Sequence, residues 1–236
     1  MVKRKIVAII PAYNEEDTIK ETIEDLKKVN LINNLVVVDD GSMDNTSTIV
    51  ENMGIDLIKL NRNRGKGFAI KEAVNRIDYD YLVLVDGDLG KTSSEIEKLI
   101  YPVLNDEADF SVAKFPKPLK KGGFGFVKRL AKRGVYIHTG KSIDTTLSGQ
   151  RVYKKEVVES INYIPDRFGV EIAMTVGALR GGYSIKEVEV DMRHRETGRS
   201  LKDFVHRGKQ FFNILNTIII LFFRRWIYEY IYNQYN

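Results

Sequence analysis

The chain contains no cysteine, so disulfides, thiolate-bound metals and a cysteine nucleophile are excluded together. Long apolar runs are missing too. The first, in "KIVAII", is only about five residues long and ends in a polar turn, too short for a signal-peptide core. A protein made and kept in the cytosol is the expectation. The uncharged stretch at 211–223, "FFNILNTIIILFF", falls short of the ~20 residues that a spanning helix needs. No internal repeat or low-complexity linker is present. The pattern G-x-x-x-x-G-K-[ST] is absent, and "GKG" fails the spacing of a dinucleotide fingerprint, which argues against a P-loop ATPase and a dinucleotide enzyme. One absence is local. Residues 110–143 hold no acid but nine Lys or Arg, in a chain whose 37 basic and 32 acidic residues leave a net charge of only +5.

What is present is a 236-residue chain, 43% hydrophobic, enough for one large domain or a domain with an appendage. The first half alternates two periodicities. "KIVAII", "LVVVDD", "IDLIKL", "YLVLVD" and "DFSVAKF" read as strands. Glu15 to Val29, the stretch ending near Gly54, the one through Arg76 and Ser93 to Leu104 read as helices. Repeated units of this kind predict an α/β fold, a Rossmann-like, mostly parallel sheet with helices on both faces. Later, "TLSGQRVYKKEV" is a strand or loop, "RFGVEIAMTVGALRGG" a helix and "YSIKEVEVDMRHR" a strand leaving a basic loop.

Four strand ends carry polar groups: "PAYNEE", "DDGS", "NRNRGKG" and "DGD". In a parallel sheet all four converge on one edge, where such folds bind ligands. Asp86 and Asp88, one residue apart, repel each other unless solvated or sharing a cation. Either they form a solvated turn or they hold a metal. The chemistry they suggest is a nucleotide diphosphate, neutralised by a hard divalent cation on the two carboxylates. Lys66 adds a point charge. Tyr13 is placed to stack on a base, and Asp39 or Asp40 to accept from a ring N–H.

Taken together, "IIPAYNEE", "VVVDDGSMDNT", "NRGKGFAI" and "LVDGDL", in this order and spacing, resemble the inverting family-2 glycosyltransferases of GT-A fold. "TLSGQRVYKKEV" is similar to the Ser-Gly-x-Arg segment of the branch that glycosylates dolichyl or polyprenyl phosphate. The resemblance implies a UDP- or GDP-linked sugar held by Pro11, Tyr13, Glu15, Asp39, Asp40, Lys66 and Asp86, and Mg2+ or Mn2+ on Asp86 and Asp88. It also implies acceptor-phosphate binding by Arg151. Arg193 and Arg195 are candidates for phosphate, and His194 between them for the metal, against the ordinary role of a lone histidine. "FFRRW" places Phe222 where the processive synthases of the family carry Gln, so polymer synthesis is not expected. A phosphate acceptor is already ionised and needs no strong base. A hydroxyl acceptor needs one, and Glu171, an acid among apolar helix neighbours, is the candidate; the alternative is an ion pair with Arg167 or Arg180.

The organisation expected is a catalytic domain over 1–199, with a nucleotide-sugar half (1–113) and an acceptor half (114–199), followed by an amphipathic helix and tail over 200–236. Basic residues interleaved with Phe in the acid-free segment, and Trp226, Tyr228, Tyr230 and Tyr232 beside Arg224 and Arg225, suit a membrane interface better than nucleic acid. A peripheral enzyme on the cytoplasmic face is expected, possible homo-oligomer included. Packing of the tail on the catalytic domain or on a second subunit is the alternative. The competing functions are a soluble phosphorylated or glycolipid acceptor, and a non-catalytic nucleotide-sugar-binding subunit of a membrane complex.

Overall fold

The computed structural model describes residues 4–116, 125–193 and 212–224. Its first strands, β1 (Ile6–Ala12), β2 (Asn34–Asp39), β3 (Asp56–Lys59) and β4 (Tyr81–Leu84), are mutually parallel, as their β-branched runs predict. Between them lie α1 (Ile19–Leu26), α2 (Thr46–Asn52) and α3 (Lys66–Val74). A 3-10 turn (Gly90–Ile96) and α4 (Glu97–Leu104) divide the single helix expected over Ser93 to Leu104. Then follow β5 (Phe110–Lys114), α5 (Phe126–Thr139), β6 (Arg151–Lys154), α6 (Lys155–Glu159), α7 (Val170–Arg180), β7 (Ile185–Glu189) and a helix over 212–224, here α8.

All seven strands form one sheet in the order β3-β2-β1-β4-β6-β5-β7, and β6 alone runs against its neighbours. Strand alternation then divides the core. Val7, Ile9, Val36, Val38, Leu82 and Leu84 face α3, α5, α7 and α8. Ile6, Ala8, Ile10, Val37 and Val83 face α1, α2 and α4. Helices cover both faces, which is why these strands read as continuous apolar runs. Helix α1 is shorter than the Glu15 to Val29 expected. Asn14 takes a left-handed φ of 57°, and the N–H groups of Thr18 and Ile19 both close on the Glu15 carbonyl, so regular helix begins only at Ile19.

Asp109 ties the last strands together. Its carboxylate accepts from the Ser184 N–H (2.8 Å) and hydroxyl (2.7 Å) and from Lys154 Nζ (3.0 Å). Burial alone would raise its pKa, but these partners outweigh burial and hold it down at about 2. A depressed acid stabilises the fold above its unfolded pKa, and that contribution is lost as pH falls through the folded value. Between pH ~4 and ~2 the protein is therefore expected to lose on the order of 1 kcal/mol through this group, solvent screening included. Asp109→Asn should lower stability at neutral pH and flatten that acid limb in urea titrations.

Helix α8 docks on α5 and α7 through His138, whose Nε2 lies 3.0 Å from the Ile218 carbonyl while Arg180 Nη2 lies 2.7 Å from its Nδ1. Arg180 Nη1 also donates to the Leu221 carbonyl at 3.2 Å. Residues 212–224 thus pack on the catalytic domain, and His138 has a structural role. The other face of α8 leaves Phe212, Ile219, Phe222 and Phe223 exposed. No helix among the described residues is long and apolar enough to cross a membrane. The amphipathic stretch from Ser200 and the aromatic tail lie outside the described residues.

Candidate active site

Four strand ends converge on one edge of the sheet and are stitched to each other by their own polar groups. Asn14 N–H donates to Ser42 Oγ (2.9 Å), and Glu15 N–H donates to Thr46 Oγ1 (2.8 Å), joining the ends of β1 and β2. Asp40 receives the backbone N–H groups of Arg64 (2.7 Å) and Gly65 (2.6 Å), fixing the loop that opens α3. That loop needs glycine at 65. Its φ is +103°, and a Cβ would stand 2.5 Å from the Asp166 carbonyl oxygen.

Fixing Gly65 aims Lys66. Its ammonium lies 2.6 Å from Asp86 Oδ1 and 3.1 Å from Glu171 Oε1, while Gln150 Nε2 donates to Asp86 Oδ2 at 2.8 Å. Burial works against the charged amine. The two carboxylates outweigh it and raise its pKa well above the ordinary lysine value. Their side chains keep 27%, 24% and 19% of their surface open for Lys66, Asp86 and Glu171, so the cluster can be reached from solvent. Glu171 therefore pairs with Lys66. Neither Arg167 nor Arg180 is its partner: Arg167 holds Asn63 and Arg180 holds His138.

The turn after β4 is clamped from α1. Thr22 Oγ1 donates to the Gly87 carbonyl and accepts from the Gly90 N–H, both at 2.9 Å. Glu15, whose Oε2 accepts from Thr18 Oγ1 at 3.0 Å, backs Gly87, since a Cβ there would meet Glu15 Cγ at 3.4 Å. Pro11 sits in β1 opposite Val38, and Tyr13 stays exposed on the rim. Arg193 is brought to the same region, its N–H donating to Thr92 Oγ1 at 3.1 Å, four residues beyond Asp88. His194 and Arg195 lie outside the described residues.

Three expected site residues are turned inward. Asp39 is fully buried; one oxygen accepts from the Ser42 N–H at 2.8 Å and the other from Ser47 Oγ. Asp40 spends both oxygens on the loop described above. These two acids are nearly closed to solvent and shape the edge by holding its loops. Arg151 is 1% exposed, its guanidinium donating to the Ser148 carbonyl (2.7 Å), Thr175 Oγ1 (2.7 Å) and Tyr153 Oη (3.0 Å). A guanidinium committed to the core in this way has no edge left for an acceptor phosphate at the surface. Its neighbours in sequence, Gly149 and Gln150, are buried as well, but they face the Asp86 edge. β6 runs antiparallel to β4 with Leu84 opposite Arg151, so Gly149 falls opposite Asp86. A Cβ on Gly149 would collide with Asp86 and stand 2.5 Å from Lys66 Nζ. Gly149→Ala is expected to push Lys66 and Asp86 apart, at a cost of about 1–3 kcal/mol in unfolding free energy together with loss of donor affinity.

No group of three or more His, Cys, Asp or Glu that could hold a metal exists among the described residues. Asp86 and Asp88 nevertheless offer hard oxygen donors on a clamped turn, the set that Mg2+ or Mn2+ takes when phosphate oxygens complete its shell. The donor chemistry fits.

The family model for glycosyl transferase family 2 matches residues 7–161, the span that carries β1 to β6 and every strand-end loop described above. The chain belongs to that family. It is a glycosyltransferase of GT-A fold. A UDP-N-acetylglucosamine–dolichyl-phosphate N-acetylglucosaminyltransferase of Methanococcus voltae is 30% identical over 190 residues, covering 69% of this chain and 74% of that protein. Glycosyltransferase AglJ of Haloferax volcanii is 27% identical, over 82% of this chain and 64% of its own length. Among solved structures, glucosyl-3-phosphoglycerate synthase of Mycobacterium tuberculosis, in complex with Mn2+, UDP and phosphoglyceric acid, superimposes with a TM-score of 0.77 at 23% identity, over 92% of this chain and 78% of that one. That likeness is one of fold.

Gln150, Gly149 and Thr22 escape the sequence reading. Period-two alternation held a hint: Gln150 and Arg151 are adjacent in an extended segment, so only one of them can face the Asp86 edge.

Proposed function

We propose that this family-2 glycosyltransferase moves a sugar, with inversion, from a nucleotide-diphosphate sugar to a polyprenyl phosphate at the cytoplasmic surface of a membrane. The observation that carries the reading is the Lys66 ammonium held between Asp86 and Glu171 at the carboxyl edge of the sheet. A cation and a carboxylate pair at that edge suit a departing diphosphate. Asp86 and Asp88 would hold Mg2+ or Mn2+, which supplies charge compensation for the leaving group. Lys66 adds a fixed positive charge beside it, and Gln150 and Glu171 keep Asp86 and Lys66 in place.

The acceptor side follows from charge. A phosphate oxygen is ionised at neutral pH and attacks the anomeric carbon without a general base, while the bond to the diphosphate breaks on the opposite face. This suits Glu171 as found, since its carboxylate is turned onto Lys66. Its role is then positioning. The exposed Phe212, Ile219, Phe222 and Phe223 of α8, with Lys128, Arg129, Lys132 and Arg133 on the adjoining α5, support a membrane surface as the place of reaction. The relatives named for dolichyl-phosphate transfer support the acceptor class.

NMR of the product tests the chemical half of the reading. Opposite anomeric configurations in donor and product, with activity lost on chelation, are expected. Retention of configuration would overturn the in-line displacement.

A further inference from the structure

With Arg151 committed to the core, the acceptor phosphate needs other cations, and the described residues gather them elsewhere. A cavity of about 490 Å³ opens between the loop after β3, the loop before α7 and the first half of α8; Arg62, Arg64, Arg167, Asn213, Asn216 and Thr217 line it. Arg64 lies over the Phe68 ring at 3.4 Å, and Arg167 donates to the Asn63 side-chain and backbone oxygens, both at 3.2 Å. The acid at the cavity's edge, Asp166, is taken by Lys71 at 2.5 Å. Three guanidinium groups thus line one pocket, and among the described residues none of them forms an ion pair with a carboxylate. Like charges gathered this way favour an anionic ligand, and guanidinium groups suit phosphate oxygens in particular.

The position suits an acceptor. The cavity shares the Asn63–Lys66 loop with the site above, and Arg167 lies in the bend that leads into α7, four residues before Glu171 in sequence. On α8, Phe212 and Ile219 flank Asn216 at i−4 and i+3, and Phe223 follows at i+7, so an exposed apolar strip runs beside the cavity mouth. We propose that this cavity is the acceptor-phosphate subsite. Arg62, Arg64 and Arg167 hold a phosphate monoester, and its hydrocarbon lies along Phe212, Ile219 and Phe223. The proposal rests on the lipid-phosphate reading of function and adds to it where the phosphate is held.

Arg62 is exposed and makes no hydrogen bond or ion pair among the described residues, so its substitution should leave folding intact. Arg62→Ala and Arg167→Ala are expected to raise KM for a short-chain prenyl phosphate about tenfold or more, with donor KM unmoved and Arg62→Lys recovering part of the loss. Unchanged acceptor KM in variants that still label prenyl phosphate would overturn the subsite and leave the proposed function standing. An arginine-dependent KM for phosphoglycerate, with no turnover of prenyl phosphate, would keep the phosphate subsite and overturn its lipid source along with that function. Should neither acceptor react, titration of inorganic phosphate decides the subsite directly: weaker binding in Arg62→Ala supports it, and equal binding overturns it.

Discussion

Lys66→Met is expected to lower kcat/KM for the nucleotide sugar by about 10²–10³-fold, the range seen when one preorganised charge-stabilising donor is removed. Two effects combine. The departing diphosphate loses a fixed positive charge, and Asp86 and Glu171 are left without the cation that both now share. Partly buried carboxylates stripped of their partner are costly, so some fall in Tm should accompany the loss of activity. Lys66→Arg keeps the charge and should recover part of the rate. A guanidinium cannot reproduce a point charge beside Gly149, so recovery should stay incomplete. Steady-state kinetics on the three proteins, with melting curves beside them, check this. Full activity in Lys66→Met would remove the cluster from the reaction.

Asp88→Asn is expected to cost about a thousandfold in kcat, equal to ~4 kcal/mol of transition-state stabilisation. The reason is charge bookkeeping at the turn after β4. Lys66 and Gln150 already occupy the two oxygens of Asp86, so the second carboxylate is needed to draw a divalent ion to this edge. Chelation of the wild-type protein should mimic the variant. Added Mg2+ or Mn2+ should restore the wild type and leave Asp88→Asn inactive. Titration of Mn2+ by electron paramagnetic resonance, with nucleotide diphosphate present, reads the same property without turnover. Equal Mn2+ binding by both proteins would return "DGD" to the status of a solvated turn, and an unaffected biological role in Asp88→Asn would favour the non-catalytic reading.

The particular residues show where sequence reading reaches and where it stops. Asp86 and Lys66 were legible because each ends or follows a strand whose apolar run is unmistakable, and parallel strands must deliver their ends to one edge. Glu171 stood out as an acid in an apolar helix, but its partner did not. Local spacing offers Arg167 at i−4, whereas the real partner, Lys66, lies 105 residues away in sequence. Gln150 and Gly149 reach Asp86 only because β6 inserts antiparallel between β4 and β5, a pairing that no local pattern encodes. Arg151 misled for the same reason: its motif is visible in sequence, and the face of the sheet it occupies is not. Asp39 and Asp40 look like ligand acceptors at a strand end, yet they serve the loops that carry Lys66 and Ser42.

The measurement that bears most directly on the central claim is product formation from radiolabelled UDP- and GDP-sugars, with Mg2+ or Mn2+, offered polyprenyl phosphate, membrane-extracted lipids and phosphoglycerate in parallel. Label entering an acid-labile lipid phosphate, lost with chelator and in Lys66→Met, is the expected result. Label entering phosphoglycerate or a neutral glycolipid, with polyprenyl phosphate untouched, would contradict the acceptor and restore Glu171 as a base for a hydroxyl.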